Sequence, residues 1–283
     1  MIILDGKETA RKKSSLLKTK IEKLTKAIGR SPKLTILLVG NDKLSAHFVG
    51  LKKKSCEELG IECQISQQSE TIPQAELEQR ITELNQDKSV DAILVQLPLP
   101  QHIDTSSIIE AIDYRKDVDG LTSKNFGLLA AGKPYLIPCT PKGIVTLLKE
   151  HGIALDGKRA VVVGRSNLVG KPTAQMLLKE NCTVTIAHSK TANLKQIIAQ
   201  AEVVVLAMGQ ENVISPEMVR EDAVIVDVAM NRHAGKFVGD IYNSDNLPLL
   251  EKRCAAITPV PGGVGPMTIL SLMENIVTAA EKA

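Results

Sequence analysis

The stretch from Arg159 to Pro172 (RAVVVGRSNLVGKP) most narrows what this chain can fold into. The apolar run from Ala160 to Val163 has the composition of a buried parallel strand, and it stops at Gly164. Lys171-Pro172 then opens a helical pattern, because proline suits the first turn of a helix. A strand that passes through a tight turn into a helix is the repeating step of an α/β fold.

The same turn is a candidate phosphate-binding site. A helix N-terminus after a glycine turn presents free backbone N–H groups and a partial positive charge to an anion. The dinucleotide pattern G-x-G-x-x-G is not met, because Ser166 stands at the middle position between Gly164 and Gly170. The turn alone therefore leaves two interpretations open: a nucleotide site, or a βα connection without a ligand.

The end of the next predicted strand favours the nucleotide site. Thr183 to Ala187 (TVTIA) leads into His188-Ser189-Lys190-Thr191. This segment lies about twenty residues past the turn, where NAD sites place an acidic residue on the ribose 2′-hydroxyl. No acid is present, and Arg165, Ser189 and Lys190 instead offer cationic and hydroxyl donors that suit a 2′-phosphate. The spacing therefore predicts an NADP site.

Predicted strands and helices alternate along both halves of the chain, which indicates βαβ units with parallel sheets. A length of 283 residues exceeds one typical core, so we expect two domains. Residues 113–140 lack periodicity and are the expected crossing between domains, with a functional loop. The predicted strands cover 34–39, 61–65, 91–95, 160–163, 183–187, 203–206 and 224–228, and the predicted helices cover 7–28, 45–59, 74–84, 104–112, 141–149 and 267–280.

The carboxyl ends of these strands are the expected ligand positions, because open parallel sheets bind ligands beyond that edge. Two sheets with such edges imply a cleft, with a cofactor on the second half and a substrate on the first. The residues at the strand ends are Gly40, Gln96, Gly164, Gly209 and Asp227.

Composition excludes several classes of function. Hydrophobic residues make up 43% and charged residues 24% of the chain, as in ordinary globular proteins. No Trp, three Tyr and three Phe are too few for a surface that stacks single-stranded nucleic acid. A net charge of +3 is too small to predict binding to nucleic acid or to a membrane, and the apolar runs are only as long as strands.

The cysteines and the first residues bear on the compartment. Five scattered cysteines without a C-x-x-C pair argue against a disulfide framework or a zinc site, and they fit a reducing compartment. An acidic residue already stands at Asp5, too early for a signal peptide. We therefore expect a cytoplasmic protein without a bound metal.

Four further motifs carry candidate chemistry, and each also has a structural explanation. Lys52 lies on a predicted helix face, but the run Lys52–Lys54 is more typical of a solvated surface. Gln96, in VQLPLP, is either an amide at the mouth of the sheet or a partner of backbone groups. KDVDG (116–120) has two acids, yet a turn fits it better than a metal site. TPVPGGVGPMT (258–268) is predicted to be a shaped loop against a ligand.

Together these motifs resemble those of the bifunctional methylenetetrahydrofolate dehydrogenase/cyclohydrolase family. The resemblance covers nearly the whole chain and implies two α/β domains with the active-site cleft between them. An N-terminal folate-binding catalytic domain would contain 1–139 plus 259–283, and a Rossmann-type NADP-binding domain would contain 140–258. The motifs are VG…S…FVGLKKKSCEELGI, VQLPLP, KDVDG, PCTPKG (138–143), VVGRSNLVGKP (162–172), AHSKT (187–191), DV…NR (227–232) and TPVPGGVGPMT.

The resemblance implies a pair of reactions in one-carbon metabolism that also serves purine biosynthesis. Hydride leaves the methylene bridge of 5,10-methylenetetrahydrofolate for NADP, and water then opens the methenyl cation to 10-formyltetrahydrofolate. By motif position, Lys52 would be the main catalytic residue of the hydrolysis, Gln96 would orient it, and Asp119 would hold the aminopyrimidine edge of the pterin. The family also implies tetrahydrofolate derivatives as substrates and a homodimer formed through the cofactor domain.

The resemblance assigns ligand contacts as well. Arg165 and Ser189 would take the 2′-phosphate of NADP, and Ser166 with the backbone before Pro172 would surround the pyrophosphate. The remaining implied substrate contacts are Phe48, Leu97, Pro98, Pro259, Pro261, Gly262 and Gly263, and the remaining cofactor contacts are Gly164, Val169, Gly170, His188, Gly209 and Asp227.

Three departures from the family pattern leave alternatives open. Phe48 stands where the family has Tyr, which admits a dehydrogenase with weak or absent cyclohydrolase activity. Ala229 replaces the usual Gly, and Leu121-Thr122-Ser123 replaces an aromatic residue and a His. A non-catalytic dinucleotide-binding module is a further alternative, against which the three retained catalytic positions argue.

Overall fold

Strands and helices alternate along the computed structural model of the chain, as predicted. The residues that the structure describes are 1–233, 236–241 and 246–283, without the side chain of Asn246. The strands are β1 (Ile2–Ile3), β2 (Lys33–Val39), β3 (Glu62–Gln68), β4 (Ala92–Val95), β5 (Arg159–Val163), β6 (Thr183–Ala187), β7 (Val203–Leu206), β8 (Val224–Asp227), β9 (Asn231–His233), β10 (Lys236–Val238) and β11 (Ala256–Ile257). The helices are α1 (Gly6–Ile28), α2 (Lys43–Leu59), α3 (Gln74–Gln86), α4 (Thr105–Glu110), α5 (Ser123–Ala130), α6 (Cys139–Glu150), α7 (Gly170–Lys179), α8 (Leu194–Ala199), α9 (Asn246–Arg253) and α10 (Val264–Glu281).

The chain divides into two compact units, each with its own parallel sheet. The six-stranded unit contains Met1–Arg11 and Thr140–Thr268. The three-stranded unit contains Lys12–Cys139 and Ile269–Ala283.

This division differs from the expected domain boundaries. We expected 1–139 and 259–283 in one domain, but the first eleven residues and residues 259–268 pack with the six-stranded unit. Strand pairing is the cause, because β1 lies parallel to β11 at the edge of the six-stranded sheet. A strand of two residues carries too little pattern to be predicted.

The six-stranded sheet has the order β1-β11-β8-β7-β5-β6, and every neighbouring pair is parallel. Its central strands read as unbroken apolar runs because both of their faces are covered; Val163, Leu206 and Ile225 are fully buried. The chain passes from β5 to β6 on one side and then crosses to β7 on the other side of β5. The strand order therefore reverses between β5 and β7, and such a reversal is where open α/β sheets bind ligands.

The three-stranded sheet has the order β3-β2-β4, again all parallel. The central strand β2 is buried from Leu34 to Val39. Side chains of α3 and α4, among them Leu77, Ile81 and Ile108, complete the core on one face. Ile93 of β4 forms a parallel bridge with Asp117, so the KDVDG motif runs along the edge of this sheet.

Residues 113–140 are more ordered than their lack of periodicity predicts. They contain α5, whose N-cap is Thr122; its side chain accepts the N–H of Asn125 at 3.3 Å. The other elements that the sequence analysis missed, α8, α9, β9 and β10, are also at most eight residues long. Elements this short show little periodicity.

Candidate active site

The Lys52 side chain meets Gln96 at the carboxyl edge of the three-stranded sheet. Lys52 projects from α2, and Gln96 directly follows β4. The Nζ of Lys52 donates a hydrogen bond to Oε1 of Gln96 at 2.9 Å, across 44 positions of sequence. Folding therefore joins two motifs that the sequence shows only separately.

The two lysines next to Lys52 have a different environment. Lys53 and Lys54 are exposed, and their ammonium groups lie 3.8 Å from the carboxylates of Glu57 and Glu58. Such i,i+4 ion pairs on a helix surface stabilise by only about 0.2–0.5 kcal/mol. The charged run thus consists of two solvated lysines and one half-buried lysine that faces Gln96.

Backbone groups hold Gln96 on both sides. Its N–H donates to the carbonyl of Leu37 at 2.9 Å, and its Nε2 donates to the carbonyl of Leu97 at 2.6 Å. This second bond directs the amide nitrogen away, so the amide oxygen faces Lys52. Pro98 follows Leu97 through a cis peptide bond.

Phe48 lies one helical turn before Lys52 on α2, so the two side chains share a helix face. The ring is half-buried, and its centroid is 5.9 Å from that of His47. Phe48 therefore supplies an apolar surface beside the lysine and no hydroxyl group.

Asp119 lies in a turn that fixes its position. Gly120 adopts a φ of +72°, and a Cβ there would lie 2.6 Å from the nitrogen of Pro138, so the turn requires glycine. Asp119 is half-buried, and within the described part of the chain its carboxylate accepts no hydrogen bond. It is an open acceptor on a rigid turn.

Asp117, which the sequence analysis did not assign, builds that turn. Its carboxylate is buried and accepts the N–H groups of Gly120 at 3.0 Å and Thr122 at 2.8 Å, and the Nδ2 of Asn125 at 3.0 Å. Burial raises the pKa of Asp117, and the hydrogen bonds oppose that rise. The buried Asp117, the first acid of KDVDG, thus fixes the turn that leaves the carboxylate of Asp119, the second acid, accessible.

Asn275 of α10 fixes the same turn from the other side. Its buried Nδ2 donates to the carbonyls of Val118 and Ile137, both at 2.8 Å. The sequence signal for this role is the single amide side chain in the apolar helix segment ILSLMENIVTAA. An amide that is buried among apolar residues needs a hydrogen-bond partner, so it marks a contact with another segment.

The residues that depart from the family pattern after KDVDG support local structure. Thr122 caps α5, and Ser123 donates its N–H and its hydroxyl to Oε1 of Glu110 at 2.8 and 2.6 Å. Hydrogen bonds made by Thr122 and Ser123, two of the residues that depart from the family pattern, therefore hold this loop in place.

In the six-stranded unit, two glycines let α7 start at the end of β5. A Cβ on Gly164 would lie 2.4 Å from the carbonyl oxygen of Ala207, and a Cβ on Gly170 would lie 2.3 Å from the carbonyl oxygen of Gly164. The hydroxyl of Ser166 sits inside this turn, where it accepts the N–H groups of Val169 at 3.2 Å and Gly170 at 3.3 Å. The turn has the tight geometry that the sequence predicts for a phosphate site.

Arg165 and Ser189 leave the same edge of the six-stranded sheet. Val163 pairs with Ala187 in parallel strands, and each candidate follows its strand end by two residues. Arg165, Ser189 and the neighbouring Lys190 are exposed, and none donates a side-chain hydrogen bond to another described residue. Two cations and a hydroxyl without partners fit the 2′-phosphate of NADP.

The other predicted cofactor residues on this edge lie in turns. The N–H of His188 donates to Oγ1 of Thr191 at 2.8 Å, and its Nδ1 accepts the N–H of Lys190 at 3.1 Å, which leaves a ring proton on Nε2. Pro172 is buried in the first turn of α7. Gly209, just past β7, has a φ of +66°.

The carboxylate of Asp227, an expected cofactor contact, binds backbone groups at the end of β8. Its buried carboxylate accepts the N–H groups of Asp240 at 3.0 Å, Ile241 at 2.9 Å and Ala229 at 3.3 Å. Burial raises its pKa to about 6, and the nearby Asp240 carboxylate adds to the rise. The side chain of Asp227 thus serves the protein's own backbone, and Ala229, in place of the family Gly, is one of its donors.

The loop from Pro259 to Gly263 belongs to the six-stranded unit, not to the unit that holds Lys52. A Cβ on Gly6 would lie 1.7 Å from the carbonyl oxygen of Gly263, and the N–H of Lys7 donates to the carbonyl of Gly262 at 3.1 Å. The predicted substrate contacts are therefore divided between the two units. Pro261, in the middle of the loop, follows a cis peptide bond.

Neither a metal-binding cluster nor a membrane-spanning helix is present among the described residues. These residues contain no group of three or more His, Cys, Asp or Glu side chains placed to hold a metal ion. None of their helices has the length and apolar character needed to cross a membrane.

Comparison with known families gives two matches that together span most of the chain. Residues 4–119 match the tetrahydrofolate dehydrogenase/cyclohydrolase catalytic domain, and residues 138–283 match the NAD(P)-binding domain of the same family.

Individual proteins agree with these matches over their whole length. The bifunctional protein FolD of Campylobacter curvus is 47% identical over 99% of this chain and 96% of its own length. The crystal structure of the bifunctional FolD methylenetetrahydrofolate dehydrogenase/cyclohydrolase of Campylobacter jejuni is 44% identical, with a TM-score of 0.95 over 100% of this chain and 99% of that one. The Trypanosoma brucei enzyme, complexed with NADP and an inhibitor, is 33% identical, with a TM-score of 0.93 over 100% and 98%.

Proposed function

This chain belongs to the tetrahydrofolate dehydrogenase/cyclohydrolase family, and from that premise we propose that it catalyses two consecutive reactions. It oxidises 5,10-methylenetetrahydrofolate to 5,10-methenyltetrahydrofolate with NADP, and it hydrolyses the product to 10-formyltetrahydrofolate. The observation that carries the proposal is the 2.9 Å bond between Lys52 and Gln96. A non-catalytic binding module has no use for a lysine held in this way.

Lys52 is the group placed to move a proton during hydrolysis. Water adds to the methenyl carbon and loses one proton to give a neutral hydroxyl adduct. The bond from that carbon to N5 then breaks as the hydroxyl loses its proton and N5 takes one up, so that one proton is released overall. A cationic substrate repels a neighbouring ammonium group, which favours the neutral amine that a proton transfer needs. Gln96 keeps the nitrogen in one place, and Asp119 offers its free carboxylate to the amino and ring N–H donors of the pterin.

The chain binds NADP through groups of the six-stranded unit. Bound NADP supplies the hydride acceptor, and hydride transfer needs no acid or base from the protein. Arg165, Ser189 and Lys190 would hold the 2′-phosphate, and the turn of Ser166 at the start of α7 would face the pyrophosphate.

The test of the first proposal is to replace Lys52 by Met and to use Lys53→Met as the matched control. With 5,10-methylenetetrahydrofolate and NADP, spectroscopy records NADPH and methenyltetrahydrofolate separately. We expect Lys52→Met to lower enzymatic hydrolysis by about a hundredfold or more, because general acid–base groups contribute about 10²–10⁴-fold. Lys53→Met loses only a surface ion pair and retains the activity. Equal hydrolysis by both variants would contradict the role of Lys52.

The cofactor assignment is tested by comparing NADP with NAD. Arg165→Ala removes a charged donor, so we expect the KM for NADP to rise about tenfold or more and the KM for NAD to change little. Arg159→Ala, at the opposite end of β5, is the control, since that side chain lies near Glu202 instead. Equal losses with both cofactors would overturn the assignment.

We further propose that the protein is a homodimer, acts in the cytoplasm and supplies purine biosynthesis. Its edge strand supports the first point, because Ile186 of β6 and Leu178 of α7 are 40% and 56% exposed and form an apolar edge that a second copy can cover. The five free cysteines support a reducing compartment. Sedimentation velocity tests the dimer, and a monomer at micromolar concentration would contradict it.

A further inference from the structure

One carboxylate outside the described site holds the turn that follows β7. Asp240 is fully buried. Its Oδ2 accepts the N–H of Met208 at 2.8 Å, and its Oδ1 accepts the N–H of Gln210 at 2.9 Å. These two N–H groups stand on either side of Gly209, so a single side chain fixes the whole turn across about thirty positions of sequence.

This turn lies at the point where the strand order reverses. The N–H of Ala207 donates to the carbonyl of Val163 at 2.8 Å, so the backbone beyond β7 continues beside β5. The carbonyl oxygen of Ala207 is also the atom that leaves no space for a side chain on Gly164. The turn at Gly209 therefore borders the glycine turn where phosphate is expected to bind.

Asp240 is itself held in place. Its Oδ1 accepts a third hydrogen bond, from Nδ2 of Asn231 at 3.1 Å, and its own N–H donates to Asp227 at 3.0 Å. Gly239 allows this approach, since a Cβ there would lie 2.0 Å from Oδ2 of Asp227. Two carboxylates thus link the end of β8 to the turn after β7. Asp227 holds the backbone of Asp240, and the side chain of Asp240 holds the turn.

We propose that Asp240 is a positioning residue of the NADP site, which holds the backbone turn at Gly209 in the conformation that receives the dinucleotide. The inference rests on the proposed function, since it places NADP at this edge of the six-stranded sheet. A turn that is already ordered loses no further backbone entropy when the ligand binds, and affinity gains from such preorganisation. Asp240 thus acts on cofactor affinity through the turn and touches no reacting atom.

The informative substitution is Asp240→Asn, which keeps the shape of the side chain. An amide has one acceptor oxygen, so it can serve Met208 or Gln210 but not both, and its NH₂ group then faces a backbone N–H. Asp156→Asn is the matched control, because Asp156 is an exposed carboxylate of the same unit that accepts a hydrogen bond from Nδ2 of Asn181 at 2.7 Å. A milder variant, Asn231→Ala, removes the third bond to Asp240 together with the bond from the same Nδ2 to the carbonyl of Gly239, and it leaves both bonds between Asp240 and the turn in place.

The experiment titrates each purified protein with NADP by calorimetry and then measures kcat and the KM for each substrate. For Asp240→Asn we expect the Kd and the KM for NADP to rise about tenfold, as for one lost charged hydrogen bond, while kcat at saturating NADP and the KM for the folate change less than about twofold. For Asn231→Ala we expect a rise of about threefold in the same two constants. The control keeps the wild-type values.

The outcomes separate this inference from the proposed function. If the wild type binds NADP and both Asp240→Asn and Asn231→Ala bind it equally well, the positioning role is wrong while the function stands. If a variant loses kcat and both KM values in parallel, Asp240 has a general structural role and the inference is also wrong. If the wild type itself binds no NADP, the proposed function fails first. Should Asp240→Asn not fold, the folded Asn231→Ala variant decides alone.

Discussion

Each unit contains a buried aspartate that accepts backbone N–H groups from a turn, but the two act over different distances along the chain. Asp117 holds Gly120 and Thr122, within five residues of itself. Asp227 holds Asp240 and Ile241, thirteen and fourteen residues away, and Asp240 in turn reaches back to Met208. The first turn is built by its own motif, whereas the second is built by three separate segments.

The difference teaches where a short motif is sufficient. KDVDG contains both the anchor and the displayed carboxylate Asp119, so a local reading of the sequence predicts the turn and its candidate carboxylate even when it leaves the anchor unassigned. The turn at Gly209 contains no part of its own support, and its sequence shows one glycine. Both units thus have an ordered turn at a sheet edge. Local contacts order the turn of the three-stranded unit, and long-range contacts order the turn of the six-stranded unit.

The largest expected effect tests the local anchor. Asp117→Ala removes three hydrogen bonds to a buried carboxylate and leaves the N–H of Thr122 without an acceptor, so we expect the free energy of unfolding to fall by about 4 kcal/mol. Urea unfolding followed by circular dichroism measures this loss. Asp87→Ala is the control. The Asp87 carboxylate is exposed and accepts the backbone N–H of the nearby Ser89. A loss of equal size in both variants would mean that Asp117 is no special anchor.

The next effect tests the long-range anchor through its titration. Burial raises the pKa of Asp227 from 3.8 to about 6, so between these values the native state binds more protons than the unfolded state. Stability from this group is therefore complete below pH 3.8 and is lost as the pH rises through about 6, a change of about 3 kcal/mol. In Asp227→Asn this loss is absent, although the amide mispairs with the backbone at every pH.

The measurement is the free energy of unfolding of the wild type and of Asp227→Asn from pH 3.5 to 7.5. The difference between the two removes the contribution of carboxylates distant from Asp227, and it includes the interaction of Asp227 with Asp240. We expect the variant to gain on the wild type by about 3 kcal/mol over the interval. A difference that does not depend on pH would contradict the raised pKa.

A smaller effect is expected at Asn275, which supports the local turn from α10. Asn275→Ala removes the amide bonds to the carbonyls of Val118 and Ile137, and the carbonyl of Val118 then keeps the thiol of Cys139 as a donor, so we expect a loss of about 2 kcal/mol in stability and a higher KM for the folate. The KM for NADP is expected to stay constant, because the other unit is untouched. Thr278→Ala on the same helix is the control, since it removes one bond to the helix's own Glu274 carbonyl. A rise in the KM for NADP as well as in the KM for the folate would contradict separate roles for the two anchors.

The smallest effect concerns Phe48, where the site departs from the family. Phe48→Tyr adds a hydroxyl on the helix face of Lys52, and we expect the hydrolysis rate to rise by up to about tenfold, as for one new hydrogen bond. Hydride transfer is expected to change less. The double variant with Lys52→Met is the control, because no gain is expected without the lysine. An unchanged rate in Phe48→Tyr would show that the ring alone serves the reaction.

Most of the fold follows from periodicity, and the parts that do not are short or depend on distant partners. The buried run of β2 and the alternating apolar residues of α1 each identify their element from one segment. By contrast, β1 exists because β11 pairs with it, some 250 residues later. The compact units therefore divide the chain differently from the expected domains, since nothing in the sequence of Ile2–Ile3 identifies the strand with which they pair.

The candidate site shows the same limit. Sequence could find Lys52 only as one of three lysines, because what separates it from Lys53 and Lys54 is Gln96, 44 residues away. The resemblance to a family supplied that choice, and in the structure Lys52 is the lysine that bonds to Gln96. Asp240 had no such help, since its partners lie in three other segments.

The pairing of β1 with β11 also sets an order for folding during synthesis. Ile2–Ile3 are translated some 250 residues before their sheet neighbours at Ala256–Ile257. The three-stranded unit has a similar dependence, because its segment Lys12–Cys139 packs with Ile269–Ala283. Neither unit can therefore close before its later segment has been made, and until then β1 lacks the strand beside it.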